Sequence, residues 1–205
     1  MKTFVSLELE QARDDVRKID DKIKVLWKTK RSYIEDIPKN YRKRGMEGAY
    51  SFYLHEVYKI NKKIEYLKDE KDDIMWKSNL QSYTLDTHYM RIDTAISLVI
   101  YIANRRRDWN IAELPVIVGQ GNNTPQGNQT IRDAFEKYFT DRKITFKYEL
   151  GNPGMILIDF PSFCDYLEKH KIGVNPNSYH GIANYDDDYY TSDEFDDGDG
   201  FSDEE

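Results

Sequence analysis

Residues 83–90, "YTLDTHYM", set an aspartate and a histidine two positions apart. In an extended strand, residues i and i+2 point to the same face, so the Asp86 and His88 side chains would stand side by side. Histidine can move a proton near neutral pH, and a carboxylate beside it can orient the ring or balance its cation. About thirty residues on, "GQGNNTPQGN" (119–128) forms a glycine-rich loop after an apolar segment. Gly119, Gly121 and Gly127 would let backbone amides approach a ligand closely, and a helix beginning just after them would favour an anion at its N-terminus. The loop lacks the Gly-Lys-Ser/Thr ending of a P-loop and the third glycine of the dinucleotide fingerprint, where Thr124 stands instead. A proton-moving pair beside a phosphate suits phosphodiester chemistry. In RNA a general base activates the 2′-hydroxyl and a general acid protonates the leaving 5′-oxygen; the spacing leaves open which role His88 would take. It also leaves open a plainer reading, in which Asp86 and His88 only close a strand and a loop.

These residues need elements to hold them. Residues 6–35 are expected to be helical, because Val16, Ile19, Ile23 and Leu26 step by three and four through a charged background. Pro38, Gly45 and Gly48 interrupt that pattern. A longer helix over 48–77 carries Tyr50, Tyr53, Val57, Ile60, Ile64, Leu67 and Ile74 at coiled-coil spacing. The two helices are expected to form an antiparallel hairpin; a seam that binds a second chain is the alternative. The periodicity changes after Leu80. Strands are expected at 82–86, 113–119, 144–150 and 155–160, helices at 91–108, 129–141 and 161–170, and a turn at "GNPG" (151–154). The order β-α-β-α-β-β makes an α/β domain whose last two strands form an antiparallel hairpin. Residues 1–80 would then be a helical extension, 81–172 the α/β domain, and 173–205 a linker and tail. In such sheets ligands bind outside the carboxyl ends of strands, where both the His88 loop and the Gly119 loop begin.

Composition narrows the classes. The 205-residue chain has a formal net charge of -7, but the charge is segregated. Residues 185–205 hold eleven of its 37 acids and none of its 30 Lys and Arg, which leaves +4 on residues 1–184. An acidic tail of this kind is expected to be disordered and either solubilising, a competitor with nucleic acid for the basic surface, or an arm that docks on a basic partner. The longest nearly apolar run, "AISLVIYIA" (95–103), is too short to span a bilayer, so no membrane association is expected. A single cysteine, Cys164, allows no internal disulfide and no cysteine-based zinc site; with no signal-peptide pattern, a reducing, intracellular setting is expected, and these features do not separate cytosol from nucleus.

Other features are read more plainly. Arg105, Arg106 and Arg107 end a helix, where they either complement its dipole or contact phosphates. "YRKRG" (41–45) reads as a solvated connection. His55 is assigned to packing or surface, and His170 and His180 have no carboxylate spacing that suggests a metal. Cys164 reads as a small buried hydrophobe.

"LDTHYMRIDTAISLV" resembles the LDxHG signature that opens the Smr (small MutS-related) domain. "VIVGQGNNTPQGNQTIRDAFEKYF" resembles that family's TGxG loop continuing as HSxGG into a helix, and "FKYELGNPGMILI" is similar to its closing hairpin. The likeness covers residues 82–160 in order. The aromatic helix 48–77 more loosely resembles the helical extension preceding eukaryotic Smr domains. The resemblance implies a two-layer α/β sandwich that binds nucleic acid, often as an endonuclease, and, for this arrangement, cleavage of mRNA at stalled ribosomes. It implies Asp86 and His88 as catalytic residues. It implies Gly119, Gln120, Gly121, Asn122, Asn123, Gly127 and Arg132 as phosphate contacts, and RNA and a ribosome or protein as partners. No cofactor and no metal-ligating residues are expected from the sequence, which does not fix whether the reaction needs a metal. Several positions depart from the pattern: Tyr89 replaces glycine, Val118 threonine, Gln120 a basic residue, Asn123 histidine, Thr124 serine and Gln126 glycine, while Thr130 stands at a position often basic. Arg132, Lys143 and Lys147 are the candidates to restore the lost positive charge. If they do not, the chain is expected to bind RNA without cutting it efficiently.

Overall fold

A computed structural model describes residues 7–36, 47–120 and 130–173. Helices α1 (Leu7–Asp36) and α2 (Glu47–Asn79) come first. β1 (Leu85–Asp86), α3 (Ile92–Arg105), β2 (Glu113–Ile117), α4 (Ile131–Asp141), β3 (Phe146–Glu149), β4 (Asn152–Asp159) and α5 (Phe160–Lys169) follow. A long helical region thus precedes a small mixed four-stranded sheet with its own helices. The acidic tail, "YRKRG", His180 and the loop 121–129 lie outside the described residues. No helix among the described residues is long and apolar enough to cross a membrane.

α1 and α2 run antiparallel. Lys71 pairs with Asp20, Lys30 Nζ donates to Asn61 Oδ1 at 2.6 Å, and Tyr33 meets Tyr53 at 6.0 Å between ring centroids. As the α1 numbers rise, those on α2 fall. The expected stripe is buried through Val16, Ile19, Ile60, Ile64 and Leu67 and loosens outward, where Tyr50 is exposed. A 30-residue helix is about 45 Å long, so α1 returns its first turns to the end of α2, beside the sheet. There Leu9, Ala12 and Val16 join the same apolar core as Leu85, Met75 and Trp76. The core therefore crosses the expected boundary at residue 80.

The sheet order is β1-β2-β4-β3. β1 and β2 are parallel, while β4 is antiparallel to both β2 and β3. Alternate strand residues (Leu85; Leu114, Val116, Val118; Ile156, Ile158) enter the core with α3, α4 and α5, so those helices cover one face. Asp86 belongs to the opposite row, in register with Ile117 and, across β2, Met155.

Local chemistry sets the element ends. β1 is shorter than the expected 82–86 because the carbonyls before it are used elsewhere. Arg106, buried to 1% exposure, donates from Nη2 to Ser82 O at 2.5 Å and from Nη1 to Tyr83 O at 3.4 Å, and the Ser82 hydroxyl donates to Thr84 O at 2.6 Å. Arg106 thus holds the entry to β1, whereas Arg105 and Arg107 are exposed. α4 starts at 131 because Thr130 caps it in a reciprocal box with Asp133. Of the expected turn "GNPG", Gly151 makes the reversal at φ +82°, and Asn152 to Gly154 already belong to β4. The buried Asp72 of α2 accepts from Arg91 N at 3.0 Å, Arg91 Nε at 2.5 Å and Thr94 Oγ1 at 2.9 Å, binding α2 to the start of α3.

Candidate active site

The register builds the site. Asp86 lies beside Ile117, so the residues that follow each strand also meet. Thr87 donates from both its amide and its hydroxyl to Ile117 O, each at 2.9 Å, which turns the chain just past the strand end. Val118 N and Gly119 N both donate to Gly154 O, at 2.9 and 3.1 Å. His88, Gly119 and Gly154 are thereby gathered at one end of the sheet, the carboxyl end of β1 and β2.

The Asp86 carboxylate is buried and accepts at both oxygens. Oδ1 faces His88 Nδ1 in a short hydrogen bond and also accepts from His88 N at 3.2 Å. Oδ2 accepts from Arg13 Nε of α1 at 2.6 Å. Burial pushes this carboxyl up, but the hydrogen bond and charge of His88 and the charge and hydrogen bond of Arg13 outweigh burial and leave it below the ordinary carboxylate value. Its backbone is held as firmly. Asp86 N donates to Asn79 Oδ1 at 2.6 Å, and Asn79 Nδ2 donates to Asp86 O at 2.9 Å and to Met75 O at 2.6 Å. The Asn79 amide stands where a further strand would pair and so closes the β1 edge.

The His88 ring keeps 26% of its side-chain surface exposed, with Nδ1 turned to Asp86 and Nε2 as the nitrogen available for proton transfer. Gly119 presses on it. The glycine sits at φ +73°, and a Cβ built there would lie 3.2 Å from His88 Cβ. Both the conformation and the space favour glycine. Gly154 is comparably close to Gln120, where a Cβ would lie 3.3 Å from Gln120 Cγ. Tyr89 sets its ring 3.7 Å from the His88 ring between centroids, and its hydroxyl helps to push up the Arg17 guanidinium of α1.

The sequence-derived site residues divide into three groups. Asp86, His88, Gly119 and exposed Gln120 stand at one sheet end. Gly121, Asn122, Asn123 and Gly127 lie outside the described residues. Arg132 begins α4 but is engaged by neighbours: Nε donates to Glu136 Oε1 at 3.0 Å and to Tyr148 Oη at 3.1 Å, and its guanidinium lies 4.5 Å from the Tyr148 ring centroid. Lys143 and Lys147 do not restore charge at this end. β3 lies on the far edge from β1 and runs parallel to β2, so the Lys143 turn before it falls at the opposite end of the sheet. Lys147 pairs with Glu113, the first residue of β2, at 2.5 Å. Sequence reasoning missed Arg13, Asn79 and Gly154. Arg13 and Arg17 are spaced i, i+4 beside the apolar stripe of α1, which places them on one face. Nothing in that spacing names a partner 73 residues away.

In comparisons with known proteins, the chain matches no protein-family model, no curated protein and no solved structure.

Proposed function

We propose that the chain is an RNA-binding endoribonuclease of Smr type, built as a two-layer sandwich behind a helical extension and acting on mRNA at stalled ribosomes in the cytoplasm. The observation that carries this reading is the buried Asp86 carboxylate on His88 Nδ1, with Gly119 packed against the same imidazole. Asp86 selects the ring orientation and tautomer, leaving Nε2 to face substrate. In the reaction, Nε2 takes the proton of the ribose 2′-hydroxyl. The 2′-oxygen forms a bond to phosphorus, the phosphorus–O5′ bond breaks, and the leaving 5′-oxygen collects a proton from water. The products are a 2′,3′-cyclic phosphate and a 5′-hydroxyl. The outer half of the hairpin supports contact with a large anionic partner: Trp27 and Tyr58 are exposed, with Lys30 4.6 Å and Lys62 5.6 Å from their ring centroids.

A second reading, a weakly catalytic RNA- or ribosome-binding adaptor, is favoured by one observation. Lys143 and Lys147 lie away from the site and Arg132 is already paired, so the charges absent at Gln120 and Asn123 are not restored by them. Incubation of purified protein with end-labelled single-stranded RNA decides between the two. Cleavage by wild type, lost in His88→Ala and Asp86→Asn, is expected. Equal cleavage by all three removes the assigned roles, and ribosome association without cleavage by wild type selects the adaptor.

A further inference from the structure

We propose that Arg13 is a positioning residue of this site: α1, docked on the end of β1, sets the Asp86 carboxylate that in turn orients His88, so the pair is complete only while the helical hairpin is seated. This rests on the assignment of Asp86 and His88 as the reactive pair.

A carboxylate is free to swing about its last torsion, which has a broad and roughly two-fold profile. Here Arg13 Nε holds Oδ2 at 2.6 Å, and that fixes the direction of Oδ1 toward His88 Nδ1. The guanidinium is charged at all working pH values, so it keeps a fully buried carboxylate as an acceptor where burial alone would favour its protonation. With Arg13 balancing Asp86, His88 can gain or lose a proton without leaving an uncompensated buried charge. The seat of Arg13 is built, because Leu9, Ala12 and Val16 on either side of it are buried in the core shared with Leu85. Arg17, one turn on, pairs with Asp14 and is pushed up by the Tyr89 hydroxyl, which places α1 beside the Asp86–Tyr89 segment at two points. Among the described residues, the charged and titratable groups that act on Asp86 are Arg13 from α1 and His88 beyond β1. α2 supplies the uncharged Asn79, and the residues in register across β2 and β4 are the apolar Ile117 and Met155. A mere tether would hold α1 in place without governing how Asp86 meets His88.

The test uses the whole chain with ¹³C-labelled aspartate and ¹⁵N-labelled histidine, comparing wild type, Arg13→Gln, Arg13→Lys and Leu9→Ala. Arg13→Gln is expected to move the Asp86 carboxyl titration to higher pH and to shift the ¹⁵N tautomer signature of His88. Arg13→Lys is expected to recover most of both, and Leu9→Ala to lower the melting midpoint while leaving both signals in place. Unchanged Asp86 and His88 signals in Arg13→Gln overturn the proposal. If that variant does not fold, Arg13→Met, which keeps the apolar stem and removes the charge, decides: a changed His88 tautomer signature in the folded variant supports positioning by Arg13, and wild-type Asp86 and His88 signals overturn it. On RNA, kcat in Arg13→Gln is expected to fall about 10–100-fold at unchanged KM, the scale of a small misplacement of a catalytic group. A wild type that cuts no RNA counts against the nuclease reading alone, because the resonance measurements still decide what Arg13 does.

Discussion

Two buried aspartates, each gripped by an arginine, do different work in this molecule. Asp72 on α2 accepts from an arginine side chain, a backbone amide at the start of α3 and a threonine hydroxyl. Every partner is a permanent donor, and the result is a fixed joint between helices. Asp86 also has its arginine, but its other oxygen meets an imidazole that can change protonation and stays partly open to solvent. The same burial and the same ion-pair chemistry therefore serve architecture in one place and, in the function proposed above, a reactive group in the other. What separates them is the second partner and where it sits: Asp72 is walled by helices, and Asp86 lies at the end of strands, where loops leave room for a ligand.

The sharpest way to break this contrast is His88→Ala. RNA cleavage is expected to fall by roughly 10²–10⁴-fold, the range for losing a general acid–base group, with the melting midpoint little changed. Gel assay and calorimetry on one preparation check it, and unchanged cleavage would make Asp86 a second joint like Asp72. The converse variant, Asp72→Ala, leaves Arg91 paired with Asp69 but removes the acceptor of Arg91 N and the Thr94 hydroxyl, and is expected to lower unfolding free energy by about 1–3 kcal/mol. Urea titration measures that loss, while the His88 ring resonances should hold their positions. Gly119→Ala sharpens the contrast from the loop side. A side chain at φ +73° and 3.2 Å from His88 is expected to cost on the order of 1–3 kcal/mol and to shift the His88 signals. A small loss with His88 unmoved would show that the glycine serves only its turn.

The smallest effect is in acid. Because the Asp86 carboxyl is held below its ordinary value of 3.8 in the fold, it contributes stability above that value and loses it as pH falls through the folded one. The wild-type melting midpoint should thus drop more steeply below about pH 4 than that of Asp86→Asn. Parallel acid profiles for the two would mean that Asp86 contributes nothing through its charge.

Much of the scaffold was legible from residue spacing. The 3–4 stepping of Val16, Ile19, Ile60, Ile64 and Leu67 marks helices whose buried faces are local properties of the chain. The changes of period at Leu80 and after Ile111 likewise mark where strands begin. The misjudged ends share a cause: tertiary partners consumed the backbone groups. Arg106 took the carbonyls before β1, and Gly154 was drawn into the ladder by the end of β2. Arg106 itself read as one of three equivalent basic residues, and only its burial sets it apart from Arg105 and Arg107.

For the site, the sequence by itself determined that Asp86 and His88 lie close, because only Thr87 separates them; a turn just past β1, rather than the extended strand expected, brings the imidazole to the carboxylate. It also determined that Gly119 begins a loop after a buried strand. Tertiary structure alone decided that these two places meet, through the parallel pairing of β1 with β2. It alone brought Arg13 to Asp86 and sent Lys147 to the other end of the sheet. Such pairings follow from strand order and from the return of a long helix, and neither leaves a periodic mark in the residues that it joins.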